Sequence, residues 1–386
     1  MSDPSTASRS RAWVEVRLDR LRANALAVQR AVGSRTALVP MVKADAYGLG
    51  MGAVVDALQA LPDLRGPWAF GVAAVQEGEA LRVHGWRGRV LVFSPLWPEE
   101  LAGAAEAGLT PCLSSVDAVE HWAAIARRRA ETLPFHVEVD TGMGRAGLPA
   151  DRAAEWGKAV AAVADGALRW EGCYTHFHSA DEPDLAPTDL QRARFERALE
   201  ALPPAIRREL RVHSANSAAA LRRGGFGDDL VRPGIFLYGG GVGAAVSPQP
   251  VASVRARLVL VREVPEGATV GYGATYTARR PERWGTLSIG YGDGLPRALS
   301  PGGGAALVRG RRVPIIGRIS MDLTTVDLTD VPEARVGDIA TLLGQDGEEE
   351  ITVDEVAHRV GTISYEILTG LTRRLPREYL DSPPAS

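Results

Sequence analysis

Cysteine is nearly absent: Cys112 and Cys173 are the only two in 386 residues. Two thiols build neither a disulfide framework nor a thiolate zinc site, and their scarcity favours a reducing, cytoplasmic setting. Long apolar runs are missing as well. No window of about 18 consecutive apolar residues occurs, so no membrane-spanning helix is expected. The N-terminal MSDPSTASRSRAW lacks the apolar core of a signal peptide, and residues 1–11 read as a disordered tail. Charge of one sign is also lacking: 44 Lys and Arg face 47 Asp and Glu, a net charge of −3. Without a basic field the chain is not suited to nucleic acid or anionic lipid, which leaves small molecules and protein as partners.

What is present is an ordinary globular composition, 45% hydrophobic and 24% charged. The length exceeds the roughly 250–300 residues that one core usually supports, so two domains are expected. Leu18, Leu21, Ala25, Val28 and Val32 recur at three- and four-residue spacings before Gly33, the pattern of an amphipathic helix with its stop. An alternation of strand-like and helix-like segments follows. The strand-like runs are 36–43, 69–75, 89–94, 109–114, 134–140, 168–177, 210–215 and 230–239. Eight alternations predict an α/β fold, a (β/α)8 TIM barrel over residues 12–245. Beyond it, VASVRARLVLVREV, GTLSIGYGDG, RRVPIIGRISMDLTTVDL and GDIATLLG are short β-rich runs cut by Gly, Pro and Asp. They predict a smaller, mostly β C-terminal domain over 246–386. The Gly- and Pro-rich stretch 239–250 reads as the linker; its glycines miss the spacing of a dinucleotide fingerprint.

Barrel enzymes keep their chemistry where strands end. The first strand ends on Lys43 in VPMVKADAYGLG, where desolvation would leave the amine partly neutral and nucleophilic towards an aldehyde. Taken alone, a strand-end lysine more often snorkels to solvent. Further strand ends deliver Arg145 in DTGMGRAG, His176 in YTHFHSAD, Ser217 in HSANSAAAL and Arg232 in VRPGIFLYG. Ser217 alone reads as a helix N-cap, with amides nearby that suit a phosphate. His176 and His178 alternate on one strand without a third ligand, so no metal is expected. Cys173 reads as a small core residue.

Together these blocks, with GYGATYTA, IGYGDG and GRISMD in the second half, resemble the alanine racemase family from about residue 12 to 380. The resemblance implies a pyridoxal 5′-phosphate enzyme with the cofactor bound to Lys43, and Lys43 and Tyr272 as two bases on opposite faces of the substrate Cα. It implies that Tyr47, Ser217, Gly234, Ile235 and Tyr365 hold the cofactor phosphate. Arg232 would bond the pyridine nitrogen, and His176 with Arg232 would give Tyr272 its positive surroundings. Arg145 and the Met321 backbone would receive the substrate carboxylate, with Asp322 and Tyr291 close by. It also implies a head-to-tail homodimer in which Tyr272, Met321 and Asp322 complete the partner's site.

Two features depart from the family pattern. Glu138 stands where many members have a carbamylated lysine that steadies Arg145; the shared negative charge predicts a direct Glu138–Arg145 pair. Leu49 and Ser320 replace a common histidine and cysteine. The expected reaction is racemisation of L- and D-alanine, supplying D-alanine for peptidoglycan. The alternatives are a broad-specificity or serine-type racemase and, behind it, an amino-acid decarboxylase of the same fold.

Overall fold

The apolar stripe that begins at Leu18 folds as expected. A helix runs Leu18–Val32, buries Leu21, Ala25 and Val28, and ends at Gly33 with φ +79°. The structure is a computed structural model and describes residues 10–61, 66–300 and 303–381.

Among the described residues, eight short parallel strands form a ring. Ala69–Val72, Arg89–Val92, Thr110–Leu113, Leu133–Asp140, Leu168–Tyr174 and Arg211–His213 pair in that order, and Leu230–Val231 pairs with Ala37–Leu38. Two seams close it. Trp68 N–H donates to Leu38 O at 2.9 Å with a Met41–Gly71 bridge, and Arg232 N–H donates to Ala215 O at 2.9 Å with an Asn216–Arg232 bridge. Each expected run contributes one strand; Leu133–Asp140 exceeds its run by one residue and the other seven are shorter than theirs. The run 230–239 keeps only two strand residues and turns at Ile235–Tyr238 into a 3-10 turn. Helices Pro98–Glu106, Val116–Arg129, Ala153–Ala164 and Ala186–Ala201 fill the intervals between the strand-like runs.

Lys43 does not sit on a strand. It opens a turn, Lys43–Tyr47, whose next four residues have φ between 52° and 56°. Left-handed backbone costs an L residue about 1–2 kcal/mol, so this turn must be held from outside. Glu77 accepts from Ala44 N–H at 2.6 Å and Ala73 N–H at 2.7 Å, and Asp45 Oδ1 accepts from Met51 N–H at 2.8 Å. On the far side, Arg377 donates to the Gly48 carbonyl through Nε at 3.0 Å and Nη2 at 2.7 Å.

The second domain is one large sheet in the order 349–351, 339–346, 305–308, 311–316, 324–327, 282–287, 252–264, 12–17, 377–380. Strand Ala12–Arg17, which lies inside the stretch expected to be barrel, belongs here: it runs antiparallel to Ala252–Val264 and parallel to Arg377–Leu380. Its residues Ala12, Val14 and Val16 are fully packed into the sheet's core. Of the expected tail, residues 1–9 lie outside the described residues, whereas Arg11 is bound: its carbonyl accepts from Arg257 N–H at 2.8 Å, and its guanidinium pairs with Asp293.

Candidate active site

A cavity of about 350 Å³ opens where the barrel strands end. Nine of the expected residues line it: Lys43, Tyr47, Arg145, His176, Ser217, Arg232, Gly234, Ile235 and Tyr365. The other four, Tyr272, Tyr291, Met321 and Asp322, stand outside that lining on exposed turns of the second domain.

Arg232 organises the cavity floor. It is 4% exposed, and its Nη groups donate to His213 O at 2.9 Å, Thr175 O at 2.8 Å and Ser214 O at 3.1 Å, and to the Nδ1 atoms of His213 at 3.0 Å and His176 at 3.4 Å. The guanidinium also lies over the rings of Tyr174 and Phe93, 5.0 and 5.7 Å from their centroids. Nε–H is the donor left without a hydrogen bond among the described residues. Because arginine has no acceptor, its bond to each Nδ1 puts the imidazole proton on Nε2. His213 Nε2–H then meets His136 Nδ1 at 2.8 Å, and so His136 carries its own proton on Nε2. That last donor is buried and unpartnered, 3.9 Å from Glu171 Oε2, which is unpartnered too.

Cations dominate the cavity. Burial first, then Arg145, hold the Lys43 amine below its usual range; Glu77 opposes them, and Arg232 adds a smaller push in the same direction. Burial and the charges of Arg232, Arg145 and Lys43 push His176 down to about 3. His176 is therefore neutral, and the positive surroundings that the sequence attributed to it come from the arginines. Burial also pushes Glu138 up, against Tyr174, Arg232 and Arg145. The expected Glu138–Arg145 pair is not made. Glu138 Oε2 accepts instead from Tyr174 OH at 2.9 Å and Ser114 Oγ at 3.3 Å, while Arg145 makes no ion pair among the described residues. A glutamate is shorter than a carbamylated lysine and stays against the strand that carries it.

The opposite wall is small and hydroxylic. Ser217 Oγ accepts from Gly234 N–H at 2.8 Å, and Asn216, not Ser217, caps the helix Ser217–Arg223 by accepting from Ala219 N–H at 3.0 Å. A Cβ at Gly234 would stand 2.3 Å from Tyr47 Oη. Tyr47 cannot retreat, because it is buried and stacked on Tyr238 at 4.5 Å, and Tyr238 is tied to Met41 O at 2.8 Å. Sequence reasoning missed Tyr238, Tyr174 and the His213–His136 pair. VHSAN and FHVEVD hold both histidines, His213 at the end of its strand and His136 inside Leu133–Asp140, on the two strands that flank Leu168–Tyr174, but nothing in one sequence says which strands become neighbours.

Two family descriptions cover this chain: "Alanine racemase, N-terminal domain" matches residues 16–241 and "Alanine racemase, C-terminal domain" matches 251–379. The chain belongs to the alanine racemase family. It is 36% identical over 372 residues to the alanine racemase of Halothermothrix orenii, covering 95% of this chain and 96% of that one. Among solved structures, the alanine racemase of E. faecalis superposes with a TM-score of 0.89 at 31% identity, over 96% of this chain and 99% of the other. That of Bartonella henselae, solved with covalently bound pyridoxal phosphate, gives 0.86 at 30% identity, over 96% and 100%.

The cavity suits such a group in this alanine racemase family member. It offers one half-buried amine of lowered basicity, a hydroxyl beside a glycine backbone with no room for a side chain, and the Arg232 Nε–H, which has no hydrogen-bond partner among the described residues. Three cations line it with two carboxylates, Asp181 and Glu138, and burial pushes Glu138 towards neutrality. A phosphate and a substrate carboxylate are the anions that would balance them.

Proposed function

We propose that this protein interconverts L- and D-alanine with pyridoxal 5′-phosphate held on Lys43, as a cytoplasmic homodimer that supplies D-alanine for peptidoglycan. The observation that carries this reading is the basicity-lowered Lys43 amine in a cavity that it shares with Arg145 and Arg232, beside Asp181 and a Glu138 carboxyl pushed up by burial. When bound, the cofactor supplies an electron sink for the pair left at Cα when its proton departs. Everything else falls to the chain.

Ser217, the Gly234 and Ile235 backbone, Tyr47 and Tyr365 hold the phosphate. Arg232 offers Nε–H to the pyridine nitrogen; an arginine keeps its proton, so the nitrogen stays unprotonated and the sink is restrained. Arg145 receives the substrate carboxylate, together with the Met321 backbone of the partner subunit's equivalent turn. Racemisation needs a proton taken from one face of Cα and one returned to the other, since a single base would mostly restore the original face. Lys43, its basicity lowered by burial and by neighbouring cations, is one base.

Tyr272 is the second, acting across the dimer. It is 69% exposed on the turn Tyr272–Ala274, with Met321 51% and Tyr291 40% exposed nearby in the same domain. Such exposure of large apolar groups suits a surface that another copy covers. Incubation with L-alanine in deuterated water tests the reading: deuterium at Cα with appearance of D-alanine is expected. Borohydride reduction and peptide mass spectrometry must then find the cofactor on Lys43; label on any other lysine refutes the assignment. A panel of other L-amino acids ranks alanine against serine and basic substrates.

A further inference from the structure

The segment 371–377 touches both halves of the chemistry. At one end Arg377 spends its guanidinium on backbone: the Gly48 carbonyl that closes the Lys43–Tyr47 turn, and the carbonyls of Leu371, Thr372 and Leu375, all within 2.5–3.0 Å. At the other end Arg374 bridges two carboxylates, Asp293 through Nε at 3.2 Å and Asp322 through Nη2 at 2.5 Å. Asp293 is wholly buried and accepts from Gly290 N–H at 3.0 Å, which fixes the turn carrying Tyr291. Thr372 adds two bonds to that turn, N–H to Asp293 O at 3.1 Å and Oγ1 to Gly292 O at 3.1 Å. Tyr291 N–H and Gly292 N–H donate in turn to Ser320 O at 3.0 Å and Met321 O at 2.9 Å. A side chain at Gly292 would meet Arg374 Nη1 at 2.4 Å, so the fit is close.

We infer that Arg374 and Arg377 are positioning residues that make segment 371–377 a strap, joining the Lys43 turn to the Tyr291 and Met321–Asp322 turns of the same chain. This rests on the shared-site dimer proposed above. Within that dimer the two turns on one strap serve different active sites, so each chain's cofactor turn is mechanically linked to the substrate turn it lends its partner. Neither arginine touches substrate in this arrangement; each acts through backbone carbonyls or through Asp293 and Asp322.

Mixed dimers separate the possibilities. One chain carries Lys43→Ala and the other Tyr272→Phe, so the single live site combines Lys43 of the second chain with Tyr272, Met321 and Asp322 of the first. Recovery of activity on mixing is the control; without it the shared-site reading falls, an outcome distinct from a failure of the strap. Arg374→Gln added to the first chain is expected to raise KM for alanine at the live site about tenfold, a cost in keeping with a displaced substrate group, with kcat little changed. Added to the second chain it should leave KM alone.

The deciding variant is Arg377→Gln in the first chain, whose own Lys43 is already gone. Through the strap it should still raise KM at the live site several-fold, whereas a role confined to the Lys43 turn leaves KM unchanged and overturns the inference. In the second chain the same substitution should weaken cofactor retention, read from the absorbance of the lysine-bound cofactor. Where a glutamine variant does not assemble, Arg374→Lys and Arg377→Lys keep the charge but lose the fork, and smaller shifts of the same sign are expected; equal KM values for all placements refute the strap.

Discussion

Replacing His136 by Asn should change how stability depends on pH more than it changes stability itself. His136 is 0% exposed, and burial followed by the charges of Arg89 and Arg232 push it down to about 3. An unfolded imidazole titrates near ~6.5. As pH falls through that value the unfolded chain takes up a proton that folded His136 refuses, so stability is lost from about pH 7 downward. At pH 5 the loss is RT ln(1 + 10^1.5), about 2 kcal/mol relative to pH 8, and it depends on the unfolded imidazole so long as the folded value stays below 5. Asn leaves an oxygen near the Nδ1 position to accept from His213 Nε2–H and removes the unpartnered Nε2–H. At pH 8 the variant should be less stable by about 1–2 kcal/mol for its smaller side chain. At pH 5 the two proteins should be nearly equal. Urea midpoints by tryptophan fluorescence, at fixed protein and cofactor concentration between pH 8 and 5, give the comparison. A gap between the two proteins that stays constant across that range would refute the argument that His136 is buried neutral.

Three further outcomes are expected from the same contacts. Gly234→Ala should fold but bind cofactor more weakly, because Tyr47 cannot yield to the new methyl; about 1–3 kcal/mol of overpacking corresponds to roughly tenfold to a hundredfold in affinity, measurable by cofactor titration. In Gly172→Ala the Cβ would stand 2.3 Å from the His136 ring, so thermal stability should fall by about 1–3 kcal/mol, and doubling with His136→Asn should restore part of the loss. Tyr272→Phe should slow Cα deuterium exchange from one alanine enantiomer far more than from the other; equal slowing would exclude Tyr272 as a one-sided base.

The barrel was legible in the sequence because its strands fall in largely apolar runs that alternate with segments of helical periodicity. Lys43, Arg145, His176, Ser217 and Arg232 were legible for the related reason that charged and polar residues at strand ends have one place to go. What was not legible arises from contacts between segments remote in sequence. The left-handed turn after Lys43 has no glycine until Gly48 and depends on Glu77 and Arg377 to hold it. The neutrality of His176 is set by burial first and then by three cations, all of which converge only in the folded chain. Glu138 turns to Tyr174 and Ser114 rather than Arg145, a matter of reach that charge counting does not see. Strand Ala12–Arg17, short and unflanked by turn signals, falls in the stretch expected to be barrel, although its pairing partners lie beyond residue 250.

That strand has a consequence for synthesis. It pairs with Ala252–Val264 through contacts such as Ala12 with Ala256, so the barrel is an insertion within the second domain rather than a unit placed before it. At roughly 5–20 residues per second, strand Ala12–Arg17 emerges from the ribosome about 12–50 s before its partner. Throughout that interval Ala12, Val14 and Val16 are an unpaired apolar edge, fused directly to the first barrel helix. Its other neighbour, Arg377–Leu380, is made later still. The second domain therefore cannot close until Arg377–Leu380 has emerged, and the strap that ends in Arg377 locks at the same moment. A chain truncated by ten residues at its C-terminus would forfeit the sheet's edge strand and the grip on the cofactor turn together.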